Sequence, residues 1–227
     1  MSISDNLIRI RRVIPEAVCL VAVSKTKPLN ALLEAYNAGQ RVFGENKVQE
    51  LCTKQAELPN DILWHFIGHL QTNKVKFIAP FIHLIHSVDS LKIIQEINKE
   101  ALKNNRIIRC LLEFHIATEE SKFGLNYQEA LVLLSSPEYL KLKNISIDGV
   151  MGMASFTDDT QLIRKEFHNL KQIYDQLKME FFSQEDHFNI LSMGMSDDYP
   201  IAIEEGSSMI RVGSSIFGNR KPKSETI

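Results

Sequence analysis

Lys25 directly follows the apolar run Val18–Ser24 (VCLVAVS), which puts its amine at the end of a buried strand rather than on a wet helix face. Burial disfavours the ammonium form, and a deprotonated amine is what attacks a carbonyl to form a Schiff base. The competing reading pairs the ammonium with a carboxylate such as Glu45. Far along the chain, Ser192-Met193-Gly194-Met195-Ser196 and Arg211-Val212-Gly213-Ser214-Ser215 each close an apolar run. Glycines let backbone N–H groups approach an anion and serine hydroxyls add donors, so the two segments together could ring a phosphate. Either one alone reads equally well as an ordinary turn.

These residues must be carried to one place by the elements between them. After an amphipathic helix over Ser4–Pro15, eight short β-rich runs alternate with helix-period segments. The runs are Val18–Ser24, Arg41–Glu45, Leu63–Gly68, Leu84–Val88, Ile107–His115, Ile147–Met153, Phe188–Gly194 and Ser208–Gly213. Helices are expected over Leu29–Ala38, Lys47–Leu58, Gln71–Ile78, Ser90–Asn104, Tyr127–Ser135 and Asp158–Met179, with a short one near Tyr199–Gly206. Asp89-Ser90 and Asp158-Asp159 offer N-caps, Gly39 follows a helix end, and Pro137 ends a helix. Phe167, Leu170, Ile173, Tyr174 and Leu177 form the core stripe of the long helix.

This rhythm, with no composition break and no Gly-x-Gly-x-x-Gly turn after the first strand, predicts a single-domain (β/α)8 TIM barrel over residues 1–227 with an extra N-terminal helix. A flavodoxin-like layered sheet is the alternative. In a barrel the site lies at the C-terminal strand ends, often with a phosphate held after strands seven and eight. Lys25, Ser196 and Gly213 fall at such ends.

Other chemistries fit less well. His65 and His69 have helical spacing, but Gly68 and the β-rich run argue against a helix presenting both, and no Glu follows His65. His83 and His86 read as structural histidines, and no Gly-x-Ser-x-Gly elbow occurs. Cys19, Cys52 and Cys110 are scattered, with no Cys-x-x-Cys pair.

The 227 residues carry 26 Lys+Arg and 28 Asp+Glu, a net charge of -2, so no global positive field favours nucleic acid or an anionic membrane as partner. Arg9, Arg11 and Arg12 interrupt the apolar N-terminal residues, which speaks against a secretory signal and makes the cytoplasm the expected compartment. An aldehyde-reactive amine opposite an anion site suits a phosphorylated carbonyl compound, either a sugar phosphate or pyridoxal 5′-phosphate (PLP).

The segments AVSKTKP (Ala22–Pro28), FGENKVQE (Phe43–Glu50), WHFIGHLQTNK (Trp64–Lys74), LSMGMSDD (Leu191–Asp198) and IRVGSSIFG (Ile210–Gly218) closely resemble the YggS-like pyridoxal phosphate-binding family, the PLP homeostasis proteins. That family is similar to the N-terminal barrel of alanine racemase, without its second domain. The resemblance implies that Lys25 holds PLP as an internal aldimine, while Ser196 and the backbone of Gly213 and Ser214 bind its phosphate. It also implies that Arg211 faces the pyridine nitrogen, that Asn46, His65, Ser87 and Met151 surround the ring, and that Lys122 lies near the pocket.

A permanent cation opposite the ring nitrogen weakens the ring as an electron sink. The acid/base tyrosine that such racemases need on the opposite face has no obvious counterpart among Tyr36, Tyr127, Tyr139, Tyr174 and Tyr199. The expected role is therefore a non-catalytic, monomeric carrier or regulator of PLP, with PLP-dependent apo-enzymes as partners. A weak PLP-dependent amino-acid racemase is the alternative, and a sugar-phosphate aldolase or isomerase and an interaction module with a vestigial pocket are more distant rivals.

Overall fold

A computed structural model describes residues 2–118 and 123–218. Helix α1 (Ile3–Val13) is followed by β1 (Cys19–Val23), α2 (Leu29–Asn37), β2 (Val42–Glu45), α3 (Val48–Glu57), β3 (Leu63–Phe66), α4 (Thr72–Ile78), β4 (Leu84–Val88) and α5 (Leu91–Lys103). Then come β5 (Ile108–His115), α6 (Tyr127–Ser135), α7 (Pro137–Leu140), β6 (Ile145–Met153), α8 (Thr160–Glu180), β7 (Ile190–Ser192), α9 (Tyr199–Glu204), β8 (Met209–Val212) and α10 (Ser214–Phe217). The eight strands pair in sequence order and in parallel, and β1 closes on β8 through Cys19↔Met209 to Ala22↔Val212. Closure excludes the layered alternative.

The apolar strands read as continuous runs because the barrel has two cores. On β1, Leu20 and Ala22 face the helices, with Phe43, Trp64, Leu112, Leu170 and Ile210. Val21, Leu84, Leu111, Met151, Ile190 and Met209 fill the barrel itself, with Cys19 and Val42 at its margin. Filling this lumen with branched and thioether side chains makes it a packed core and confines any ligand to the mouth.

Two irregularities set which residues face in. Between β5 and β6 the register slips, so that Cys110 faces Ile147 but Leu111 faces Gly149. Gly149 has φ 154°, and a Cβ there would lie 1.8 Å from the carbonyl oxygen of Ile190, so only glycine fits. Between β4 and β5 a second slip falls at Ile85–Val88. Both flanking residues face the outer core, which leaves His86 pointing into the barrel.

The expected strands and helices are all present, with shifted ends. Asp159 caps α8 through the N–H groups of Gln161 and Leu162, whereas the hydroxyl of Ser90 at the α5 N-cap donates to Asp89 at 3.3 Å instead of accepting from the helix. Pro137 does more than end a helix: with Ser136 as cap it opens α7, as a ring lacking an N–H can at a first turn. Helix α10 is an element the periodicity did not mark, because four residues carry no period. Helix α1 packs on α2 and α10, and Asn6 donates to the carbonyl of Ile216 at 2.9 Å.

Candidate functional site

The inward set of β1 runs Cys19, Val21, Val23, and the next residue of that parity is Lys25. Its side chain lines a cavity of about 330 Å³ at the barrel mouth, together with Ser196, Arg211, Gly213 and Ser214. Val23, Ile67, Met153 and Phe156 supply the apolar wall. That volume lies at the small end of the range for ligand pockets. A larger recess of about 490 Å³ between the start of α5 and α6 has no cationic side chain in its described lining. The carboxylate suggested as a partner of Lys25 is engaged elsewhere: Glu45 pairs with Lys54 at 2.7 Å.

The end of the cavity expected to take an anion is built from the residues that follow β7 and β8 and from α10. Ser196 Oγ accepts from the N–H of Gly213 at 3.1 Å and of Ser215 at 3.5 Å. Helix α10 starts at Ser214; the N–H groups of Ile216 and Phe217 donate to the carbonyl of Gly213 at 3.0 and 2.9 Å, which leaves the N–H groups of Ser214 and Ser215 at the open start of the turn. The residues expected to bind a phosphate, Ser196, Gly213 and Ser214, thus lie side by side on the cavity.

Arg211 is buried and its guanidinium is held by protein. Nη1 donates to the carbonyl and hydroxyl of Ser192 at 2.9 and 2.7 Å, and Nη2 to the carbonyl of Gly152 at 3.0 Å. Burial pulls its pKa down to about 10, against the opposing pull of Asp198 and Glu113, which leaves it cationic at neutral pH.

From Ser192 the chain of polar contacts continues inward, Ser192 Oγ to His86 Nδ1 at 3.2 Å and His86 Nε2 to His65 Nδ1 at 3.0 Å. Because Arg211 donates into the hydroxyl, that hydroxyl can donate to His86, and His86 in turn to His65. The direction requires both imidazoles neutral, and burial holds both well below the usual histidine range. His65 and His86 thus brace Arg211 from below. Glu113, also buried, is pushed up to about 7 by burial and by Asp89, with Arg211 opposing.

Of the expected site residues, Lys25, Ser196, Arg211, Gly213 and Ser214 come together on one cavity. The others lie around it or beneath it. His65 is 2% exposed and acts through the relay, and Met151 is packed in the barrel interior one step below Met153. Ser87 is buried, and its hydroxyl finds no hydrogen-bond partner among the described residues. Asn46 is half-buried, and Gly68 presses so close that a Cβ would sit 2.6 Å from the Asn46 carbonyl oxygen. Lys122 lies outside the described residues. The apolar wall is only partly marked in the sequence: parity along β1 and β6 points to Val23 and Met153, whereas nothing marks the loop residue Phe156.

A closed parallel barrel with a lysine at the end of β1 and glycine- and serine-bearing loops after β7 and β8 fits the class to which the family model over residues 1–221 assigns the chain, the alanine racemase N-terminal domain. The pyridoxal phosphate homeostasis protein of Aquifex aeolicus is 40% identical over 204 residues, 89% of this chain and 87% of that protein. That of Haemophilus influenzae is 38% identical, covering 89% and 85%. The structure of PipY from Synechococcus elongatus with PLP bound superposes with a TM-score of 0.86 at 34% identity, over 96% of this chain and all of that one, 100%. The chain belongs to this pyridoxal phosphate homeostasis family within the alanine racemase N-terminal class. Alanine racemase of Clostridium difficile, at 16% identity and TM-score 0.74 over 98% of this chain and 57% of the racemase, shares the fold.

Proposed function

We propose that this protein binds PLP covalently through Lys25 and serves intracellular PLP homeostasis as a carrier rather than as a catalyst. The observation that carries the reading is the meeting of Lys25, Arg211 and the Ser196–Gly213–Ser214 donors on one cavity. An amine, a cation and a set of N–H donors match the aldehyde, ring nitrogen and phosphate of PLP. When bound, PLP supplies an electrophilic carbonyl and a ring able to accept electrons. Arg211 opposes that second use, because its charge disfavours a proton on the ring nitrogen.

The carrier reading is supported by the tyrosines. Tyr36 and Tyr127 donate to Asp61 and Glu180 on the surface and Tyr174 to the carbonyl of Phe188, while neither Tyr139 nor Tyr199 lines the cavity. Asn46, His65, Ser87 and Met151 act around or beneath the cofactor ring, and Lys122 beside the pocket. Among the described residues no helix is long and apolar enough to cross a membrane. We place the protein in the cytoplasm as a monomer that hands PLP to apo-enzymes.

Purified protein incubated with PLP should absorb in the visible, bleach on borohydride, and carry a pyridoxyl group on Lys25 by peptide mapping. Lys25→Ala should lose the reducible adduct entirely. A wild-type protein that stays colourless with PLP would sink the reading and bring forward a sugar-phosphate substrate.

A further inference from the structure

Lys25 occupies the second position of a tight turn in which the N–H of Lys27 donates to the carbonyl of Ser24 at 3.0 Å. Thr26, at the third position, has φ 66°. Turns with a positive φ there ordinarily carry Gly or Asn, and a β-branched residue is strained in that region. Strain of this kind persists only where the surroundings hold it.

Three charged side chains do the holding. Glu50 Oε1 accepts from the N–H of Thr26 at 2.6 Å. Lys54, one helical turn further along α3, donates to the carbonyl of Ser24 at 2.8 Å and to Glu50 Oε1 and Glu45 Oε1, each at 2.7 Å. Glu45 Oε1 also accepts from the Ser24 hydroxyl at 2.6 Å. The residues on both sides of Lys25 are therefore tied by their backbone to one buried charge cluster.

A satisfied ion pair that merely stabilises the barrel is the plainer reading. Two features speak against it. The bonds that leave the cluster go to the backbone flanking Lys25, and Glu45 Oε2 is buried with no partner among the described residues, a cost that a purely stabilising pair would not carry.

We propose that Glu45, Glu50 and Lys54 are positioning residues, a clamp that holds Thr26 in its left-handed conformation and thereby keeps the Lys25 amine aimed into the cavity. The proposal rests on Lys25 being the PLP attachment point. None of the three clamp residues lines the cavity, so they act through the turn. Without the clamp, Thr26 relaxes to a negative φ, and the peptide that follows Lys25 reorients.

Glu50→Ala is the test, because the Glu50 side chain is 23% exposed and its loss leaves the Glu45–Lys54 pair in place. Two readouts on the full chain are needed: amide hydrogen exchange at Thr26 without PLP, and the rate at which the borohydride-trapped adduct appears on Lys25. Glu50→Ala should exchange at Thr26 and lose adduct rate by about tenfold each, the scale set by one strained residue. Thr26→Gly in the Glu50→Ala background should restore the adduct rate to near wild type, since Gly takes the positive φ without help. The double variant keeps Glu50 absent, so a structural role of Glu50 elsewhere would not be rescued. Wild-type exchange and adduct rates in Glu50→Ala, with only a lowered Tm, overturn the clamp, as does failure of Thr26→Gly to restore the rate. Absence of any adduct in the wild-type chain overturns the PLP reading instead.

Discussion

Lys54→Met should lower stability at pH 8 by about 3–5 kcal/mol, the range for removing one partner of a buried ion pair. Lys54 is 5% exposed and Glu45 0%, so no water replaces the lost ammonium. The carboxyl of Glu45 is already pushed up by burial, with Lys54 and Ser24 pulling it back. In the variant only Ser24 pulls, and the pKa climbs further. A carboxyl raised in the folded state contributes its full stability below its unfolded pKa of about 4.3, and that contribution is lost as pH rises through the folded value. The deficit should therefore be small at pH 5 and large at pH 8, and adding Glu45→Gln should recover most of it. Urea unfolding at the two pH values measures it directly. A deficit independent of pH would show that lost packing, not an orphaned charge, is the cause.

Glu113→Gln should act in the opposite direction and stabilise the protein at pH 8 by on the order of 3 kcal/mol, the cost of ionising a carboxyl raised to about 7 from its ordinary 4.5. Burial is the first cause, the charge of Asp89 adds to it, and Arg211 opposes both. By the same sign argument, the stability linked to Glu113 is whole below about pH 4.3 and lost as pH rises through about 7. Gln removes that loss, so the two proteins should be equally stable at pH 4 and diverge between pH 5 and 8. Thermal unfolding across this range gives the comparison. A variant less stable than wild type at pH 8 would mean that the Glu113–Arg211 attraction outweighs burial.

The barrel and one end of its site were legible because both are written locally. Strand and helix periods show in short windows, and glycine and serine at the ends of two apolar runs suggest an anion site once both runs are the last strands of a barrel. Lys25 was legible for the same reason, as a charge at the end of a run that has to be buried. His86 was read as a structural histidine and is one, but its neighbour Ser87 could not be told from it. Alternation from Leu84, which fills the barrel, turns His86 inward, and the register slip between β4 and β5 then puts Val88 in the outer core.

The sequence by itself determined the eightfold alternation of strands and helices, favoured a barrel over a layered sheet, and put Lys25, Ser196 and Gly213 at strand ends. Tertiary structure alone decided who meets whom. It pairs Glu45 with Lys54 instead of Lys25 and puts Met153 on the cavity, with Met151 below it. It also links Arg211 through Ser192 to His86, although Ser192 and His86 are 106 residues apart. The reason is physical. Period and turn chemistry depend on neighbours along the chain, whereas height in a barrel and the partner of a buried charge depend on strand stagger and on bulges, which no local window contains.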